Sequence, residues 1–175
     1  MKPAAGCVDP FFAWLEATAV STWLSESPSL LGLPFLLVLH AIGLAFLVGA
    51  SVAIDARILG LARGVPLLSL RPYYRVMWAG FWVNASSGAL LLVAFPTKAL
   101  TNPVFYLKLV MIAAALWMAR AIRRQAEAAP VAAGMPAPQA MRALALAGMA
   151  CWFIAVVAGR FLAYTCSRLT WEHSC

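Results

Sequence analysis

One histidine interrupts the apolar run L-L-V-L-H-A-I-G-L-A-F-L-V-G, residues 36 to 49. Ionisable groups in the hydrocarbon region of a membrane cost free energy, so His40 marks a site by default. Three other polar side chains stand in similarly apolar surroundings: Asn84, Lys108 and Arg160. His40 shares a helical face with Gly43, Leu47 and Ala50, a strip that lets another helix approach. Asn84 is flanked at four-residue spacing by Gly80 and Gly88, with Ser87 beside the strip. That spacing makes a helix-packing seam with Asn84 as polar glue, and it leaves Asn84 free to line a site. Lys108 and Arg160 fall at similar depth near one membrane surface, with Tyr106 and Tyr164 at the rim. Both cations can snorkel to the interface.

A neutral imidazole with two cations above it suits a ligand with an apolar body and an anionic edge. Haem b is such a ligand: its iron takes a histidine nitrogen and its propionates take Arg or Lys. The expected set is His40 on the metal, Lys108 and Arg160 on the carboxylates and Asn84 lining the pocket. A quinone, a chlorin-type pigment or no cofactor at all are the alternatives. The second histidine, His173, lies in the C-terminal tail. Haem would therefore be five-coordinate, ligated by His40 with a methionine such as Met111 or Met149, or shared between two subunits. The competing reading is a structural bundle in which His40 hydrogen-bonds Asn84 or a serine.

Other chemistries find less support. The methionines are scattered and Cys151 is alone in its helix, so copper is not indicated. No C-x-x-C occurs, and zinc is not indicated either. No acidic residue falls inside an expected span, which speaks against a proton-driven pump. Asp55 closes the first span in I-D-A-R and is expected to pair with Arg57, Arg75 or Arg120 at the interface. G-x-S-x-G, H-E-x-x-H and a Walker lysine are missing, so no catalytic residue is assigned and no catalytic activity of its own is expected.

The elements that must hold these residues follow from composition. Of 175 residues 64% are hydrophobic and 11% charged, against about 25% charged in a soluble domain. The expected fold is an all-α integral membrane protein, a four-transmembrane-helix bundle preceded by an interfacial amphipathic helix. Residues 1–28 form the interfacial segment, where Phe11, Trp14, Leu15 and Trp23 lie near one side between about Phe11 and Leu24. Residues 29–165 form the bundle, with spans near 30–54, 73–95, 103–120 and 143–164, each close to the ~20 residues a bilayer requires. The Pro/Ala/Gly-rich stretch 125–140 reads as a flexible linker and 166–175 as a tail. A-A-G-C at 4–7 lacks a preceding apolar region, so lipidation is not expected.

The net charge of +7 sits at the ends of apolar segments, which excludes nucleic acid as the partner and points to the bilayer. Arg57, Arg63, Arg71, Arg75, Arg120, Arg123, Arg124 and Arg142 share one side; Lys2, Lys98, Lys108, Arg160 and Arg168 take the other. That bias places the arginine loops in the cytoplasm and both termini outside, in the periplasm if the membrane is the bacterial inner membrane that the resemblance given below implies. Cys7, Cys166 and Cys175 would then face an oxidising compartment, with any of three disulfide pairings, or free thiols, open to them.

The blocks L-H-A-I-G-L-A-F-L-V-G (39–49), I-D-A-R-I-L-G (54–60), W-A-G-F (78–81), N-P-V-F-Y-L-K (102–108) and A-G-R-F-L-A-Y (158–164) resemble a bacterial family of small four-span membrane proteins of unknown function. More distantly, L-H-x-x-G early in a four-helix bundle is similar to CopD-like copper-resistance domains and HemJ-like membrane domains. That resemblance implies a haem-binding histidine in an early helix, and His40 is the residue that carries over. The chain is thus expected to be a small haem-binding subunit for electron transfer or redox partnering, working as a homodimer or beside other membrane subunits. The alternatives are an accessory subunit of a larger membrane complex and, with less support, a metal or small-solute permease.

Overall fold

The computed structural model describes residues 10–26, 29, 32–129 and 131–164. Among them every regular element is a helix. Two short helices, α1 (Pro10–Glu16) and α2 (Ala19–Glu26), precede α3 (Leu33–Leu59), α4 (Arg71–Ala94), the short α5 (Pro96–Leu100), α6 (Pro103–Ala128) and α7 (Gln139–Tyr164). Four helices are long and apolar enough to cross a membrane: α3, α4 together with the 3₁₀ turn Leu67–Leu70 that leads into it, α6 and α7. Cys7, Cys166, Cys175 and His173 lie outside the described residues.

The punctuation is chemical. Pro34, Pro72, Pro96 and Pro103 stand in the first turns of α3, α4, α5 and α6, where a missing N–H leaves no broken bond. Asn102 caps α6 by accepting the Val104 amide at 3.0 Å. Gly60 ends α3 in the left-handed conformation (φ 109°). Its amide reaches the Arg57 carbonyl at 3.2 Å and the Leu61 amide reaches Ala56 at 2.9 Å, the paired closure that a glycine at this position permits.

Helices α3 and α4 form one antiparallel pair, α6 and α7 another, and α3 packs on α7 to join them. The main core gathers toward the arginine-rich end, around Leu47, Ile54, Ile58, Met77, Ile122, Met141 and Trp152. A smaller cluster of Leu24, Leu36 and Ala94 holds α2 against the opposite end. There Thr97 donates to Glu16 Oε1 at 2.7 Å and Ser21 to the Ala94 carbonyl at 3.4 Å.

Several boundaries differ from those expected. The amphipathic segment is two helices, broken where Thr18 turns its hydroxyl onto the Leu15 carbonyl. α6 continues to Ala128 because the arginines past the apolar stretch are good helix formers, and Arg123 pairs with Glu127 one turn on at 3.0 Å. The stretch 125–140 is helical up to Ala128 and from Gln139. Between them it docks on the loop after α3: Gly134 donates to the Arg63 carbonyl at 2.7 Å, and Leu67 donates to Val131 at 3.5 Å.

α3 runs past Asp55 to Leu59, so that residue lies inside the helix and not at its end. Asp55 is buried, and the expected pairing with Arg57, Arg75 or Arg120 does not form. The ion pair that forms near this end is Arg123–Glu127. Arg57 instead donates Nε to the Val65 carbonyl, and Arg120 lies over the Trp78 ring at 4.3 Å. The expectation that no acidic residue enters a span is corrected with it.

Candidate functional site

His40 stands about seven residues after the start of α3, roughly 10 Å along its axis at 1.5 Å per residue. It is therefore nearer the α5 end of the bundle than its middle. Its level is fixed by a seam in which His40, Gly43 and Leu47 lie opposite Ser87, Asn84 and Gly80. A Cβ on Gly43 would stand 2.6 Å from the Asn84 backbone nitrogen, and one on Gly80 2.6 Å from that of Leu47. Only glycine allows backbones this close, which is why the small-residue strips of α3 and α4 find each other.

Across this seam the polar side chains engage. The Asn84 amide donates to the His40 carbonyl at 2.8 Å. The imidazole meets Ser87 Oγ through Nδ1 at 3.0 Å, over the space that Gly88 leaves open. A Cβ there would come within 3.2 Å of Cε1. Ser87 Oγ also lies 2.6 Å from the Val83 carbonyl, one helical turn back. A hydroxyl has one proton to donate. Oγ also lies 3.1 Å from the Asn84 carbonyl; a proton given to either carbonyl would leave Oγ to accept from Nδ1–H, the neutral tautomer with its lone pair on Nε2. Nε2 has no hydrogen-bond partner among the described residues. Anchoring one ring nitrogen and leaving the other free is how proteins hold a histidine that ligates a metal.

Lys108, on α6, is half-buried. Its Nζ lies 3.6 Å from the place a Cβ on Gly159 of α7 would occupy. Arg160 is exposed. The structure thus brings together His40 and Asn84, adds Ser87 as the side chain on the imidazole, and sets Lys108 beside Gly159. It does not bring Arg160 into the group. Ser87 was legible only as a small residue beside the seam. Its position opposite His40 depends on the register that Gly43 and Gly80 set.

Other features of this region carry less chemistry. No three His, Cys, Asp or Glu side chains come together as a metal-ligand group among the described residues. A groove of about 260 Å³ lined by Ala45, Phe46, Gly49, Ala50, Pro72, Tyr73 and Val76 is almost wholly apolar and holds none of the candidate residues. Comparison with protein-family models, curated proteins and solved structures gives no match for this chain.

Proposed function

We propose that the chain is a small cofactor-binding subunit of a bacterial inner membrane, with both termini periplasmic and His40 as axial ligand to a b-type haem. The observation that carries this reading is the imidazole held through Nδ1 by Ser87 with Nε2 unpartnered. The donor set fits one axial bond, and Lys108 is the cation that would hold a propionate. Haem bound here would supply one-electron transfer. The chain's own residues orient the imidazole, set its tautomer and keep the approach of α3 to α4 fixed through Asn84. A chain with one such histidine takes its second ligand, if any, from a methionine or from a second copy.

A second reading is favoured by the backbone contact at Gly43 and Gly80 and by the Asn84 bond. On it His40 is interhelical glue in an accessory subunit of a larger complex. One experiment separates the two. The protein is purified in detergent from cells able to load haem, and its absorption is recorded oxidised and dithionite-reduced beside His40→Ala. A Soret band that shifts on reduction and vanishes in the variant supports the haem reading. A colourless wild type, with His40→Ala lowering thermal stability alone, supports the accessory reading and sinks the first.

A further inference from the structure

The cluster on the arginine-rich side is independent of His40. Asp55 is 5% exposed, lies inside α3, and has no hydrogen-bond or ion-pair partner among the described residues. Its Oδ2 turns across the bundle to α7, 3.5 Å from the point where a Cβ on Gly148 would stand. Met118 Sδ of α6 lies 4.0 Å from that same point. The carboxyl therefore occupies a space that exists because residue 148 has no side chain.

The register set by Gly43 against Asn84 and Leu47 against Gly80 puts Tyr74 of α4 at the level of Asp55. Tyr74 is 7% exposed, its hydroxyl is buried without a partner, and it is electrostatically coupled to Asp55. α6 contributes Arg123, whose guanidinium is 5.6 Å from the Tyr74 ring centre and which pairs with Glu127 at the surface. α7 brings Gly148 to the contact. Arg57, the other charge on this part of α3, gives Nε to the Val65 carbonyl and keeps Nη1 and Nη2 buried without a hydrogen-bond partner, with no ion pair to Asp55.

A bare carboxylate in such a place is strongly unfavourable unless a cation neutralises it. A metal ion would need several oxygen ligands, and no three His, Cys, Asp or Glu side chains gather here among the described residues. A proton needs no ligand cage, and carboxyls inside spans are the usual carriers in proton relays. We propose that Asp55 is a reversible proton-binding site inside the bundle, exchanging with the arginine-rich surface by way of the Tyr74 hydroxyl. In loading, a hydronium at the Arg123–Glu127 rim gives up one proton and becomes water. Tyr74 releases its own proton toward Asp55 and regains one, and an O–H bond forms on the Asp55 carboxyl. Unloading reverses each step.

The test uses the full chain in detergent or liposomes and dicyclohexylcarbodiimide, an apolar reagent that adds only to protonated carboxyls, with adducts located by peptide mass spectrometry. Asp55 should be labelled at neutral pH, at a rate that sodium leaves unchanged and Tyr74→Phe slows. Labelling should fall about tenfold per pH unit once the carboxyl is mostly ionised. As a second readout, the thermal midpoint of the wild type should drop on raising the pH, while that of Asp55→Asn, an isostere of the protonated form, should not. Protection by sodium at fixed pH would overturn the proposal in favour of a metal ion. Absence of the Asp55 adduct together with matching pH profiles of wild type and Asp55→Asn would also overturn it, as would failure of Asp55→Asn to fold.

Discussion

The α3–α4 seam makes a sharp prediction about two glycines six residues apart on the same helix. In Gly43→Ala the new Cβ would stand 2.6 Å from the Asn84 nitrogen, where ordinary contact begins at 3.4 Å. The obstacle is backbone and cannot rotate away, so the helices must part by about 0.8 Å. The bond from Asn84 to the His40 carbonyl would stretch from 2.8 Å to about 3.6 Å, beyond hydrogen-bond range. Overpacking of this kind costs about 1–3 kcal/mol, and a lost interhelical hydrogen bond in a membrane adds roughly 0.6–1.7 kcal/mol. Gly43→Ala should therefore destabilise the bundle by about 2–5 kcal/mol.

Gly49 provides the control, because a Cβ there meets nothing within 4 Å. Alanine is the better helix former by about 0.5–1 kcal/mol, so Gly49→Ala should be neutral or stabilising. Both variants can be measured by titrating a denaturing detergent into mixed micelles and following far-UV circular dichroism. The reasoning fails if Gly43→Ala lies within about 0.5 kcal/mol of the wild type, the range of an inconsequential surface change. It also fails if Gly49→Ala costs as much as Gly43→Ala.

Other variants test the site and its frame. Ser87→Ala removes the anchor of Nδ1 and should lower metal or haem affinity by about 10–100-fold, read by cofactor titration, while the circular dichroism spectrum stays that of the wild type. Lys108→Gln should weaken retention of an anionic cofactor more than Arg160→Gln does, because Lys108 is half-buried beside Gly159 and Arg160 is exposed; cofactor content after gel filtration decides. Asn102→Ala should cost about 1 kcal/mol through the lost cap of α6, and Met141→Ala, 1% exposed in the core, about 2–5 kcal/mol. Both are checked by the same detergent titration.

Hydropathy and proline placement made the four long helices legible, since each obeys a local rule. Their inner ends were not legible by that route. Hydropathy stops at Asp55 and Arg120, yet α3 continues to Leu59 and α6 to Ala128. The signals that do mark those ends are a glycine that closes α3 and helix-forming arginines with an i, i+4 partner. Asp55 misled for a tertiary reason: its partner surface is Gly148, ninety-three residues on, where the informative feature is a missing side chain. His40 and Asn84 announced themselves by burial cost. The choice of Ser87 as the imidazole's partner required the antiparallel register. Arg160 matched Lys108 in depth but not in direction, because depth follows from residue count whereas direction depends on how α7 is rotated against α6.

The two polar stations lie on the same helix, and their separation constrains what the protein can do. His40 and Asp55 are fifteen residues apart in α3, about 22 Å at 1.5 Å per residue, so no direct contact or single hydrogen bond links them. Between them the helix presents Gly43 and Leu47 to α4 at backbone distance and closes Ser51 onto its own Leu47 carbonyl at 2.8 Å. That interval offers packing and no continuous chain of exchangeable protons. A cofactor at His40 and a proton at Asp55 would therefore be coupled only through a shift of α3 against its neighbours. The Gly43 seam resists that shift, whereas Gly148, at 3.5 Å from Asp55 to a would-be Cβ, leaves ordinary clearance. If the stations communicate, loading Asp55 should move α7 against α3 before it moves α4. Spin labels paired between α3 and α7, and between α3 and α4, would show this as a pH-dependent distance change in the first pair alone. A change in the α3–α4 pair would mean that the seam is not the rigid element its contacts imply.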